Sequence, residues 1–143
     1  MAEDARPQAP SALAEALERV GDRWTLLIVE ALLDGPLRFA DLGERLGIAS
    51  NILSQRLKRL EQDALVVAQA YSERPPRFVY ELSESGRELA GALRLLADWG
   101  ARHAEGSEPL QHAPCGTPLE ARWYCPTCAR AVDDDEATDV HFA

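Results

Sequence analysis

The chain has 143 residues, with 15 Lys and Arg against 24 Asp and Glu, which gives a formal net charge of −9. This length fits one compact domain with a small appendage, and 46% hydrophobic residues suffice for a buried core. Net acidity counts at first against a nucleic-acid binder, whose surface is usually basic. An odd number of cysteines, three, counts against a disulfide-stabilised fold. The apolar runs are too short for a membrane span and no secretory signal pattern is present, so we expect a cytoplasmic protein.

The first third of the chain predicts a tail followed by two helices. Residues 1–10 show no apolar periodicity, and we expect them to form a flexible tail. Ser11 is placed to cap a first helix that runs through Val20. A second helix is predicted at 25–34, where Gly35 and Pro36 end it. Its nearly continuous apolar residues indicate a central, buried helix.

Two shorter helices joined by a tight turn come next. The third helix is predicted at 39–46 and ended by Gly47. Ser50 is the expected cap of a fourth helix that runs to about Asp63. Two helices separated by a few residues that include Gly have the helix-turn-helix layout.

A β-hairpin and a long helix follow. Strands are predicted at 65–71 and 77–82, and the prolines in the connector 72–76 predict that it stays out of the strand ladder as a projecting tip. The last helix, capped near Ser83 or Ser85, is predicted at about 86–103. It carries two neighbouring apolar stripes: Leu89, Leu93, Leu96 and Gly100 in one, and Ala92, Leu95 and Trp99 in the other.

From Gly106 onward the composition changes to prolines, all three cysteines and an acidic run at 133–136. We therefore expect a tail at 1–10, a main domain at 11–105 and a small separate extension at 106–143. The predicted fold class is α+β, mainly α, with a long last helix and a small appendage.

The fourth helix has one polar side. On a helical wheel Leu53, Leu57 and Leu60 lie together and should face the core. The other side and its flanks carry amides, hydroxyls and cations suited to base edges and phosphates: Ser50, Asn51, Ser54, Gln55, Arg56, Lys58 and Arg59. For this helix alone, a merely solvated face is the more common interpretation. The order helix, turn, helix and then a hairpin tipped with Arg74 and Arg77 favours a winged helix that binds DNA.

Four segments carry a more specific signal: 21–28 (GDRWTLLI), 33–39 (LDGPLRF), 51–60 (NILSQRLKRL) and 74–82 (RPPRFVYEL). In order and spacing they resemble the HxlR-type winged helix-turn-helix regulators of transcription, and the resemblance covers about 11–100. It implies a bacterial, sequence-specific DNA-binding regulator without catalytic activity, found on the nucleoid when bound to DNA. It also implies a homodimer through the first and last helices, with the fourth helix in the major groove of double-stranded DNA and the hairpin as the wing.

One departure from that family affects its regulation. Many relatives carry Cys-Pro near the start of the first helix, and in some of them the thiol senses oxidants or electrophiles. The corresponding pair here resembles Ser11-Ala12, so we do not expect a thiol switch at this position. A small-molecule effector beside Trp24 or Trp99 stays open, although core packing is the preferred interpretation of both rings.

The cysteines form a metal-ligand pattern with His112. His112-x2-Cys115 is followed after nine residues by Cys125-x2-Cys128, and two such chelating pairs can point four ligands at one tetrahedral Zn²⁺. The pairs resemble the two knuckles of a zinc ribbon with His in place of one Cys. So small a unit cannot bury enough apolar surface to fold alone, so we expect one structural zinc per chain.

Alternatives remain at several points. For Cys125 and Cys128, the competing interpretations are a redox pair or no function. For the fourth zinc ligand, the alternatives to His112 are His103 and His141. In an alternative hypothesis for the whole chain, it is a protein-interaction module that has lost DNA binding, and its acidic run 133–136 contacts a basic partner. No catalytic constellation supports an enzyme.

The distribution of charge weakens the first objection to DNA binding. Between residues 45 and 77 there are 6 basic and 3 acidic side chains, a local charge of +3, so the remaining residues carry −12. Basic residues are thus concentrated where the predicted recognition helix and wing lie, which predicts strongly salt-sensitive binding.

Overall fold

The computed structural model describes residues 11–106, 108–133, 135 and 136, and the predicted tail at 1–10 lies outside them. The helices are α1 (Ala12–Val20), α2 (Arg23–Leu33), α3 (Phe39–Leu46), α4 (Ser50–Gln62), α5 (Glu84–Arg87) and α6 (Ala90–His103). The strands are β1 (Leu37–Arg38), β2 (Val66–Glu73), β3 (Pro76–Leu82), β4 (Trp123–Cys125) and β5 (Arg130–Val132). Ala16–Leu96 form the larger of two compact units, and the described residues on either side of it belong to the second. No helix among the described residues is long and apolar enough to cross a membrane.

The core of the larger unit is built around α2, as the sequence predicts. Ile28 and Val29 are fully buried, and α2 packs against α3, α4 and β3. The predicted core side of α4 is confirmed as well, since its three leucines, Leu53, Leu57 and Leu60, are at most 1% exposed. Burying side chains of this size contributes about 2 kcal/mol each, and this contribution fixes the rotation of α4 about its axis.

A three-stranded antiparallel sheet lies beside the helices in the order β1-β3-β2. The sequence did not predict β1, because two residues are too short to show an alternating pattern. The prediction that 72–76 stays outside the ladder is wrong, since Ser72 pairs with Arg77 and Glu73 with Pro76. Proline is tolerated at the first residue of a strand, so the ladder extends to a two-residue tip, Arg74 and Pro75.

Two helix starts differ from the prediction. α2 begins at Arg23 rather than at residue 25, because the Asp22 carboxylate accepts hydrogen bonds from the backbone N–H groups of Trp24 and Thr25, both at 3.1 Å. Ser50 is the first residue of α4 and not its cap. Ala49 occupies the cap position without a side-chain hydrogen bond.

The long last helix is wrong as predicted, because the chain breaks it into α5 and α6. Ser83 caps α5 by accepting the N–H of Gly86 at 3.0 Å. The N–H of Leu89 then bonds the carbonyl of Gly86 three residues back, a tighter turn that ends the first segment. Gly86 is buried, and a Cβ there would lie 2.2 Å from the Leu65 carbonyl oxygen. Only glycine therefore lets α5 lie this close to the start of β2.

Candidate nucleic-acid interface

The helix-turn-helix is formed by α3, a short turn and α4. Gly47 ends α3 in the left-handed conformation, with φ of 62°, which a residue with a Cβ rarely adopts. Ile48 follows and is buried, with 7% of its surface exposed. The turn is therefore anchored in the core immediately before α4 begins, which limits how α4 can tilt.

The polar side of α4 faces away from this core. Asn51, Ser54, Gln55 and Lys58 are all exposed, and Ser50 is exposed at the first helical position. Lys58 forms no ion pair with any residue that the structure describes. This surface therefore offers amide and hydroxyl groups together with an uncompensated cation.

Two of the predicted cations are held by the protein itself. The Nε of Arg56 donates to the Asp22 carboxylate at 2.9 Å, and the two side chains are only 31% and 34% exposed. The guanidinium of Arg59 donates to the Glu18 carbonyl and lies 4.0 Å from Asp63. Arg56 and Arg59 therefore link α4 to the chain segments around the start of α2.

Asp22 is the centre of the first link. Its carboxylate caps α2, accepts from the Thr25 hydroxyl and pairs with Arg56. Burial alone would raise the pKa of Asp22, but the hydrogen bonds from Thr25 and Arg56 outweigh it and hold the pKa below its usual 3.8. The ionised carboxylate thus connects the start of the central helix to α4.

The hairpin of β2 and β3 exposes Arg74 and Arg77 at its tip. Neither cation is paired with an acidic side chain within the described residues. At the base of the hairpin the guanidinium of Arg38 lies 4.9 Å from the centre of the Tyr71 ring. Arg38, Tyr71 and Arg77 line a cavity of about 470 Å³ beside α3. Sequence reasoning missed Arg38, although it lies in one of the four family-like segments.

In the smaller unit the four predicted metal ligands occupy two separate turns. The Nδ1 of His112 lies 3.2 Å from the Sγ of Cys115, and the backbone N–H of Cys128 donates to the Sγ of Cys125 at 3.5 Å. Among the described residues, no three His, Cys, Asp or Glu side chains come together as a metal-binding group. The pKa of Cys115 is lowered by its hydrogen bond with Thr117, and that of Cys125 by the Cys128 backbone N–H.

A helix-turn-helix followed by an arginine-tipped hairpin defines a winged-helix DNA-binding protein. The sequence profile of the HxlR-like helix-turn-helix proteins matches residues 19–108. The chain therefore belongs to the HxlR-like helix-turn-helix family. It is a DNA-binding regulator of transcription and not an enzyme.

Named relatives and solved structures agree with this assignment. The chain is 37% identical over 124 residues to Rv3095, an uncharacterised HTH-type transcriptional regulator of Mycobacterium tuberculosis, covering 84% of this chain and 78% of the relative. It is 34% identical over 99 residues to the HTH-type transcriptional regulator YodB of Bacillus subtilis, covering 68% of this chain and 88% of YodB.

Among solved structures, a candidate transcription factor of Pseudomonas aeruginosa (PA1374) superposes with a TM-score of 0.69 at 33% identity and 88% coverage of both chains. The reduced form of YodB gives a TM-score of 0.55 at 34% identity, covering 66% of this chain and 93% of YodB. These neighbours confirm the predicted winged helix-turn-helix fold.

Proposed function

We propose that this regulator binds its operator as a homodimer, with α4 in the major groove and the β2–β3 hairpin as the wing. The observation that carries the proposal is the division of α4 into two sides. Three leucines on one side are at most 1% exposed, while the polar residues opposite them face solvent. We further propose that the protein acts in the cytoplasm on chromosomal DNA.

The dimensions of α4 suit this role. Its 13 residues span about 20 Å, and an α-helix fits a major groove about 12 Å wide. Asn51, Ser54 and Gln55 are proposed to contact base edges, where an amide can bind adenine through two hydrogen bonds. Ser50, at the N-terminus of α4, is proposed to contact a phosphate, which backbone N–H groups at a helix start also attract.

The proposed phosphate contacts come from the exposed cations. No ion pair within the described residues involves Lys58, Arg74 or Arg77. These cations can therefore bind DNA phosphates without first breaking an ion pair in the protein. Arg38 joins them at the base of the wing. For Arg56 and Arg59, the contacts to Asp22 and Glu18 favour a role in positioning α4 over the predicted contact with DNA.

Exposed apolar side chains support the proposed homodimer. On α1, Leu13 and Leu17 are 56% and 52% exposed, and on α6 Leu95 and Trp99 are 43% and 59% exposed. The interpretation of Trp99 as a core residue is therefore wrong for the single chain, whereas Trp24 does pack against the core. Each exposed pair is four residues apart, so both of its members lie on the same side of their helix. Large apolar side chains repeated along one side of a helix mark a surface for association, and a second copy of α1 and α6 is the proposed partner.

The DNA contacts are tested by fluorescence anisotropy with two labelled duplexes: the operator, which is the sequence that the protein enriches from genomic DNA fragments, and a shuffled version of it. Gln55→Ala should weaken operator binding by about 1–3 kcal/mol and leave binding to shuffled DNA unchanged. Glu84→Ala, an exposed change at the start of α5, is the control. Equal losses on both duplexes would contradict a base contact by Gln55.

Sedimentation velocity tests the dimer. Leu95→Glu should shift the protein from dimer to monomer, because a charge in the proposed interface would be desolvated without a partner. Arg94→Glu, on the neighbouring residue but another side of α6, should remain dimeric. A wild-type protein that sediments as a monomer at all concentrations contradicts this part of the proposal.

A further inference from the structure

Two turns of the C-terminal extension share one backbone design. In each turn two potential metal ligands are three residues apart: His112 and Cys115 in the first, Cys125 and Cys128 in the second. The residue after the second ligand is left-handed in both, with φ of 69° at Gly116 and 54° at Ala129. An alanine pays a steric penalty in this region, yet Ala129 adopts the same conformation as Gly116.

The backbone pairs that close the two turns also correspond. The N–H of His112 donates to the Thr117 carbonyl at 2.8 Å, which closes the first turn, and an isolated bridge joins Gln111 to Pro118. In the second turn Cys125 pairs with Arg130 at the end of the β4–β5 hairpin. Both turns therefore span the same number of residues, with the ligands at the same two places.

The described residues of this extension form no hydrophobic core. None of its described residues from 108 to 133 is buried, and its largest apolar side chains, Leu119, Trp123 and Tyr124, are 47%, 63% and 63% exposed. Two-stranded hairpins of this size are marginally stable in water without further support. Apolar burial within the unit therefore does not account for two ordered turns.

We propose that one Zn²⁺ binds His112, Cys115, Cys125 and Cys128 of the same chain and joins the two turns as a structural site. Three thiolates and one neutral imidazole are the donors that tetrahedral zinc prefers. The cysteine protons pass to solvent on binding. Because the two ligand pairs form no single group among the described residues, the metal must draw the turns together, and its binding free energy becomes folding free energy of the extension.

The surroundings of the cysteines favour zinc over a dithiol redox site. A reactive Cys-x-x-Cys pair normally has its first cysteine at the N-terminus of a helix. Here Cys125 ends a β-strand and Cys128 lies in the turn that follows it. His103, one alternative ligand, lies on α6 twelve residues before Cys115 and does not share the three-residue spacing of the two turns, and His141, the other, lies outside the described residues.

The test measures zinc in the full-length protein, purified without chelators, by elemental analysis and native mass spectrometry. We expect one zinc per chain in the wild type and in the control His103→Ala. Cys125→Ser and Cys128→Ser should lose at least about tenfold in bound zinc, and His112→Ala should bind more weakly in competition with a chromogenic chelator. The far-UV spectrum of each variant should stay close to that of the wild type, since the larger unit has its own core.

A second measurement keeps the proposal testable if a variant is poorly folded. Zinc is removed from the wild type and added back while the fluorescence of the chain is recorded, and a saturable change at one equivalent is expected. A wild type that binds no zinc overturns the proposal, whether its three thiols are free or a Cys125–Cys128 disulfide is present. Half an equivalent per chain also overturns it, because the metal would then be shared between two copies. None of these outcomes depends on DNA binding.

Discussion

Lys58 and Arg56 are two residues apart on α4, and their replacement by alanine should affect different properties. Arg56 forms an ion pair with Asp22, whereas Lys58 is exposed and forms no ion pair with the residues that the structure describes. Arg56→Ala should therefore lower stability, and Lys58→Ala should lower the salt dependence of DNA binding. The pair separates a cation that positions the recognition helix from one that contacts the DNA backbone.

The loss of stability expected for Arg56→Ala follows from the exposure of the Arg56–Asp22 pair. A hydrogen bond between charged groups contributes about 1.5–3 kcal/mol, but exposed pairs contribute about 1 kcal/mol or less. With side chains 31% and 34% exposed, the link should be worth about 1 kcal/mol. That loss lowers the Tm of a domain of this size by roughly 4 °C. Lys58→Ala should change stability by less than about 0.5 kcal/mol.

Thermal unfolding and fluorescence anisotropy at three salt concentrations measure the two effects. Lys58→Ala should reduce the slope of log K against log salt by about 1 per protomer, and Arg56→Ala should leave that slope unchanged. A double-mutant cycle with Asp22→Ala should return about 1 kcal/mol of coupling with Arg56. An unchanged Tm for Arg56→Ala together with a reduced slope would refute this reasoning, since Arg56 would then contact phosphate.

Three further changes test other parts of the account. Gly86→Ala should lower the free energy of unfolding by about 2 kcal/mol or more in urea titrations, whereas Gly91→Ala, which meets open space on α6, should raise it by about 0.5–1 kcal/mol. The ionised Asp22 carboxylate has a lowered pKa in the folded state, so it stabilises the fold at pH values above its unfolded pKa, and this stabilisation is lost as the pH falls through its folded pKa. Asp22→Asn should therefore reduce the loss of stability that the wild type shows below about pH 4. Arg74→Ala and Arg77→Ala should each reduce the salt slope by about 1 per protomer without changing operator preference.

The sequence was most informative where side chains repeat with the period of the structure. The spacing of Leu53, Leu57 and Leu60 predicted the buried side of α4, and the burial of these leucines confirms it. The end of α3 at Leu46 is predicted correctly because Gly47, the residue that follows, adopts the left-handed conformation that ends a helix. Periodicity and helix stops are local properties, so they can be read from neighbouring residues.

Contacts between distant residues could not be predicted in this way. The link between Asp22 and Arg56 joins positions 34 residues apart and has no local signal. The break between α5 and α6 lies beside another contact between distant residues, the packing of Gly86 against the Leu65 carbonyl. The prediction that Arg56 contacts DNA rests on charge type and a helical wheel, and neither of these could indicate that the arginine also pairs with Asp22.

The most direct test of the account is capture of genomic DNA fragments by the purified full-length protein, followed by affinity measurements on the enriched sequence. We predict an enriched site with two related half-sites about one helical turn or a multiple of it apart, bound at least about 10³-fold more tightly than shuffled DNA. Gln55→Ala should reduce this preference at specific base pairs. No enrichment, or equal affinity for enriched and shuffled duplexes, would contradict sequence-specific recognition by α4.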